Sequence, residues 1–306
     1  MSAPGPVELA SAGLRRVPDR AGMTRVVARI LARDARFADP QRCARSGVEA
    51  TLPAVLGLVR ARSSIPAGDR DGLVHRRCRI LRRPDGGAPP PLAPRNMVRA
   101  GWELTVVVVH VGRWEVTHWL ARHLERTGGA GVEGIGADGG PRARVENDGA
   151  RLEPSAGRSY SRVRIGGGGA RVGKDGLRAP DASATADVVA RPRIDAADLS
   201  AWARAGADPN IIHLRPGAAR AAGLAVGGDE AVAHGLLLAA LSLAVVPLGR
   251  ARGVDLRFTA PVAVPLAGGS TAVSVTRRGD LADRRGTALR RTAASADDGA
   301  GEADGS

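Results

Sequence analysis

From Gly235 to Val246 the chain is apolar almost all the way round, with only Ser242 to break it. A helix with no polar face cannot lie on a surface, because one side would expose a row of aliphatic groups to water. It has to be buried. The run extends to Leu248 past Pro247, well short of the ~18–20 residues that cross a bilayer. The segment therefore predicts a helix enclosed by the rest of a globular fold.

What encloses it must be built from small and aliphatic residues. The aromatic content is 2% over 306 residues, although Phe, Tyr and Trp normally supply the largest buried areas. The length favours two modest domains over one. The net charge of +14 comes almost wholly from arginine, since Lys174 is the sole lysine. A nucleic-acid binder concentrates such charge in a stripe and adds aromatic stacking platforms. Here the arginines run from Arg15 to Arg291 with no aromatic cluster beside them, which argues against nucleic acid. An anionic small molecule or an acidic carrier protein fits the charge as well. Cys43 and Cys78 form no CxxC pair, and no apolar signal segment precedes them. The expectation is a soluble, cytoplasmic protein with reduced thiols.

Along the chain, residues 1–24 read as frayed. Val26, Val27, Ile30 and Leu31 fall at helical spacing within 25–36. Thr51 to Val59 predicts a helix with Pro53 in its first turn. Val74 to Leu81 and Leu104 to Val111 read as strands, while periodicity leaves Val116 to Leu124 open between strand and helix. A Gly/Pro loop covers 84–94. Residues 131–184 read as a Gly-rich linker, with one strand at 160–165 and a short apolar stretch at 186–190 beyond it. Asp195 caps a helix through Ala205, with Asp198 three residues on as a loose capping box, and Gly206 ends it. Pro216 opens a short helix that Gly223 closes. Val254 to Val264 and Thr271 to Thr276 read as strands. Arg277 to Arg291 is charged and short, which predicts an incomplete final sheet, and 294–306 reads as a disordered tail.

Two glycine motifs match by chance. Gly134 to Gly139 fits GxGxxG but lacks the strand before and the helix after that dinucleotide binding needs. Gly168 to Lys174 fits GxxxxGK, yet Asp175 stands where a Ser or Thr must hold magnesium. His118 and His123, five apart, fall on different faces of either a helix or a strand, which argues against a metal pair.

The loop Asp208-Pro209-Asn210-Ile211-Ile212-His213 is different. Asp and Asn often serve only as turn residues. Two contexts favour chemistry. His213 lies between Ile212 and Leu214, so its imidazole is placed among apolar groups, where an Asp/His pair can exchange protons near neutral pH. The buried helix that starts at Gly235 also has free N–H groups at its N-terminus, which can hold a thioester oxygen.

Four elements in order carry a resemblance. They are this Asp208–His213 loop, the Ala222-Gly223 pair, Val232-Ala233-His234-Gly235, and Arg257-Phe258-Thr259-Ala260-Pro261. Over about 193–264 the chain resembles the MaoC-like family of (R)-specific enoyl-CoA hydratases and 3-hydroxyacyl-thioester dehydratases. The first half resembles, more weakly, the degenerate N-terminal module of two-module members. The resemblance implies an α+β double hot-dog, each module a curved antiparallel sheet wrapped round a central helix. The modules would span 25–130 and 185–293, with Gly235–Val246 and Thr51–Val59 as the central helices. It implies that Asp208 and His213 are the catalytic pair, that Asn210 orients them, and that the Gly235 N–H polarises the thioester carbonyl. His234, Arg257 and Arg215 are the substrate-binding candidates. Ile211 stands at the family's proline, and proline sits at 209 instead.

The function expected is reversible hydration of a trans-2-enoyl thioester in fatty-acid metabolism, with no metal and no cofactor. The alternative is a non-catalytic acyl-thioester-binding or structural subunit. The partner is an acyl-CoA or acyl carrier protein thioester, with neither nucleic acid nor membrane. Homodimer and heterodimer both remain open.

Overall fold

The computed structural model describes residues 17–65, 70, 72–83, 94–99, 101–124, 187–249 and 251–294. Those of 17–124 and 187–294 belong to one compact unit. Both glycine motifs, the loop over 84–93, the linker, the strand expected at 160–165 and the tail beyond 294 lie outside the described residues.

The apolar segment forms helix α5 (Gly235–Val245), and all but its two end residues are buried. It crosses α2 (Pro40–Ser63) very closely. Gly47 makes that approach possible: a Cβ there would run into the Ala240 carbonyl oxygen and come within 2.7 Å of the Ala244 Cβ. Helix α2 starts earlier than its apolar pattern predicts, because Asp39 caps it through the Arg42 N–H and Pro40 takes the first turn. Pro53 thus lies inside the helix. Proline there removes one backbone bond, and burial of Val48 and Thr51 before the defect and of Ala54, Val55 and Leu58 after it keeps the helix going. Helix α1 (Arg20–Leu31) begins within the stretch expected to be frayed and ends five residues before the expected 36.

A nine-stranded, wholly antiparallel sheet packs against these helices. Its first half contains β1 (Val74–Arg82), β2 (Arg95–Arg99), β3 (Trp102–Val111) and β4 (Trp114–His123). The second half contributes β5 (Val188–Ala190), β8 (Gly253–Phe258), β11 (Ser274–Thr276), β12 (Leu281–Asp283) and β13 (Gly286–Ala293). The order is β2-β3-β4-β1-β8-β13-β12-β11-β5, so the two halves join where β1 pairs with β8. Each half supplies strands and one central helix, α2 or α5. The architecture is the expected double hot-dog. The stretch 116–124, open from its sequence, is strand β4 in register with β3 along its whole length.

The final sheet is complete. Strands β12 and β13 form within 277–293, where the charge density predicted too little strand. The arginine that raised that expectation has a structural task. Arg291 reaches from β13 to the C-terminus of α5, donating to the Val246 carbonyl and to Ser242 Oγ at 3.2 Å. Helix C-termini leave carbonyls unpaired and carry partial negative charge, and a guanidinium satisfies both.

Two small ladders complete the unit. Strand β6 (Arg193–Asp195) pairs with β10 (Ser270–Ala272), and β7 (Glu230–Val232) with β9 (Ala263–Pro265). The run 254–264 is therefore not one strand but β8 and β9, broken at Ala260-Pro261. Helix α3 (Ala196–Ala205) carries the expected capping box: Asp198 N donates to Asp195 Oδ1 at 2.9 Å, and Asp195 N to Asp198 Oδ2 at 3.0 Å. Arg29 and Arg33 also hold the wholly buried Asp198 carboxylate and tie α1 to α3. No helix among the described residues is long and apolar enough to cross a membrane.

Gly47→Ala tests the helix crossing. Overpacking at so tight a contact should cost about 1–3 kcal/mol, read as a lower urea midpoint with an unchanged m-value. An unaltered midpoint would show that α2 and α5 do not meet at Gly47.

Candidate active site

The loop after α3 is set by backbone geometry at its entry. Gly206 N donates to the Trp202 carbonyl at 2.7 Å and keeps right-handed torsions, so the turn falls to the next residue. Ala207 has φ +54°, the one non-glycine with positive φ among the described residues. Strain of that kind persists only where the surroundings enforce it. Asp208 N then returns to the Ala203 carbonyl at 3.0 Å. Asn210 caps the 3-10 turn Ile211–His213 by accepting from Ile212 N, and its Nδ2 donates to the Leu73 carbonyl at 2.7 Å, just before β1. Its own N–H reaches Asp208 Oδ1 at 3.3 Å. The turn closes with Ile211 partly exposed, and Ile212 and His213 are buried.

Asp208 and His213 do face each other. His213 Nε2 lies 4.0 Å from Asp208 Oδ2, too far for a direct hydrogen bond and a separation that one bridging water spans. The tautomer of His213 follows from its other nitrogen. Nδ1 lies 2.7 Å from the Val232 carbonyl, which can only accept, so Nδ1 carries the proton and Nε2 presents a lone pair. Burial lowers the His213 pKa from 6.5, Asp208 opposes that shift, and the imidazole is neutral at pH 7.

Arg62, on the last turn of α2, forms a short ion pair with Asp208. Both side chains are largely buried. Desolvation alone would raise the Asp208 pKa. Arg62, then His234 and His213, and the Asn210 N–H outweigh it and hold the carboxyl down at about 2. Asp208 is thus a fixed anion, and the proton-carrying member of the pair is His213.

These residues line a cavity together with His75, Arg76, Trp202, Gly235 and Phe258. Gly235 lets the Phe258 ring lie on the start of α5, since a Cβ there would be 3.0 Å from the ring. Of the predicted site residues, Asp208, Asn210, His213 and Gly235 therefore come together. His234 does not border the cavity. It stacks under His213 with ring centroids 3.7 Å apart, fully buried, with neither ring nitrogen hydrogen-bonded. Arg257 and Arg215 are corrections. Arg257 alternates with Leu256 and Phe258 along β8, so it points to the outer face of the sheet beside Asp255. Arg215 follows the 3-10 turn and is exposed. The cations that do border the cavity are Arg62 and Arg76, the latter 4.5 Å from the Trp102 ring centroid. Arg62 had a sequence signal: it continues the Val55, Leu58 face of α2 at helical spacing. Arg76 had none, because its position depends on a bulge in β1.

No protein-family model matches the chain, and no curated protein matches it. Solved structures with a similar course of chain include three of note. HtdX of Mycobacterium tuberculosis is 18% identical with a TM-score of 0.49, over 90% of this chain and 95% of that one. The full-length peroxisomal multifunctional enzyme type 2 of Drosophila melanogaster is 14% identical with a TM-score of 0.41, over 89% of this chain and 45% of that one. A MaoC-like dehydratase from Phytophthora capsici is 12% identical with a TM-score of 0.39, over 89% of each chain.

Three buried histidines and the partly buried His75 give the fold a pH dependence. Burial lowers the pKa of His75 (to about 4), His118, His213 and His234 from 6.5. The unfolded chain then binds protons that the folded chain refuses, so stability falls as pH drops below about 6.5. Each histidine adds to this loss until the pH passes its own folded-state pKa, about 4 for His75. Urea unfolding at pH 7.5, 6 and 5 should show this decline, and a flat profile would mean the rings are not buried neutral.

Proposed function

We propose that the chain adds water reversibly across a trans-2-enoyl thioester to give the 3-hydroxyacyl thioester, of (R) configuration as the family resemblance implies. The observation that carries this reading is the 4.0 Å gap between His213 Nε2 and Asp208 Oδ2, open on a cavity that also meets the N-terminus of α5.

A water held between the two groups loses a proton to His213 Nε2 as its oxygen bonds to C3. Charge moves onto the thioester oxygen, where the Gly235 N–H at the start of α5 receives it. The imidazolium, facing the Asp208 anion, returns its proton to C2, so one water is consumed and His213 ends neutral. Arg62 keeps Asp208 ionised throughout, which makes the carboxylate the partner of the imidazolium rather than a proton donor. The carrier, coenzyme A or acyl carrier protein, is anionic, and Arg76 at the cavity wall is its nearest cation by this reading.

A second reading has one observation in its favour. Asp208 is already engaged by Arg62, which suits a subunit that binds acyl thioesters without turning them over. Hydration of crotonyl-CoA, followed by loss of the enoyl-thioester absorbance, separates the two. Turnover is expected, and His213→Gln and Asp208→Asn should each lower kcat by at least ~10²-fold. Asp208→Asn should also destabilise the fold, because it leaves Arg62 buried without its anion. Variants as fast as the parent would refute the catalytic assignment. Saturable binding without hydration would establish the second reading.

A further inference from the structure

A cluster apart from the Asp208/His213 pair bears on metal chemistry. Strand β1 carries a bulge between His75 and Arg77. In a regular strand His75 and Cys78, three apart, would point to opposite faces. The extra residue turns them to the same one. Cys78 stands directly opposite His118 on β4, and His75 opposite Leu120, two residues on. One donor atom from each of His75, Cys78 and His118 falls in a group spanning no more than 4.8 Å. Cys78 and His118 are wholly buried.

The geometry suits an ion. His75 Nε2 and His118 Nδ1 lie 3.1 Å apart. Two imidazole nitrogens bound tetrahedrally to Zn²⁺ at ~2.0–2.1 Å stand ~3.3 Å apart. A thiolate at ~2.3 Å would stand ~3.5 Å from each nitrogen, a separation compatible with the 4.8 Å within which the three donor groups fall. His75 is held as ligating histidines are. Its ring is hydrogen-bonded to the Arg77 backbone, which leaves the lone pair on Nε2 turned to the cluster. His118 turns Nδ1 to the cluster, and its Nε2 faces Gly57 on α2.

The other trio of this kind, Asp208, His213 and His234, is a poorer site. Its imidazoles stack face to face at 3.7 Å, so their lone pairs lie in nearly parallel planes and do not converge on one ion, and Arg62 already neutralises its carboxylate.

We propose that His75, Cys78 and His118 form a binding site for a thiophilic cation of the Zn²⁺ class. Two imidazoles and a thiolate are a donor set that selects such ions over Mg²⁺ or Ca²⁺. Water from the cavity that His75 borders completes the coordination. Binding releases the Cys78 proton to solvent, so affinity rises with pH. The site shares His75 with the cavity wall and does not depend on the hydratase reading.

Co²⁺ serves as a spectroscopic stand-in. The chelator-treated full-length protein should bind one equivalent with the intense visible bands of four-coordinate cobalt and a near-ultraviolet thiolate-to-cobalt band. Zn²⁺ should displace it. Cys78→Ser should abolish the thiolate band and weaken binding at least ~10-fold, since even outer-shell partners of a metal are worth ~10–100-fold. Cys43→Ser and His213→Gln should leave the band intact. Three results would overturn the proposal: cobalt bound without a thiolate band, a band that persists in Cys78→Ser, or a band lost in His213→Gln. The first needs no variant, so it decides the matter even if Cys78→Ser does not fold.

Discussion

Helix α5 offers water nothing but Ser242, and that hydroxyl is turned inward to the Gly279 carbonyl at 2.6 Å. Its enclosure governs the arrangement of the rest. One side is taken by α2, which can approach because Gly47 has no side chain in the way. The sheet takes another. Both ends still carry unpaired backbone groups, and a fold that buries a helix whole must answer for them. At the C-terminus the answer is Arg291 from β13. At the N-terminus no side chain caps the helix, and this end meets the cavity. An enclosed helix thus leaves one set of donors for a ligand.

Electrostatics at the cavity is a contest between desolvation and neighbouring charge. Burial alone would raise the Asp208 pKa and lower that of His213. Arg62, supplied by the other half of the chain, keeps Asp208 charged, and Asp208 in turn moderates the loss of basicity at His213. The two halves are therefore complementary in chemistry as well as in sheet pairing. One provides the Asp/His loop and the helix N-terminus, and the other provides the cation that fixes the charge state of the loop.

Much of the loop was legible from residue types alone. The capping box at Asp195/Asp198, the stop at Gly206 and the clustering of Asp208, Asn210 and His213 all rest on contacts within a few residues. The misplaced residues share a different cause. Arg257 was assigned to the site by closeness in sequence to Phe258, yet adjacent residues on a strand face opposite sides of the sheet. Charge at Arg291 was taken to oppose strand formation, when its partner is a helix end 45 residues away. Nothing in the sequence pairs His75 with Cys78, because a one-residue bulge decides which way His75 points.

The sequence by itself determined that α5 is buried and that an acid, an amide and an imidazole share one loop; the hot-dog arrangement came only from a resemblance. Periodicity, capping and turn chemistry are local, so they can be read from neighbouring residues. Only the tertiary structure decided that Arg62 meets Asp208 across 146 positions of chain, that His234 stacks beneath His213 instead of facing the cavity, and that Pro53 is tolerated inside α2. Each of these depends on which surfaces are pressed together once the apolar helix is enclosed, and no local pattern records that packing.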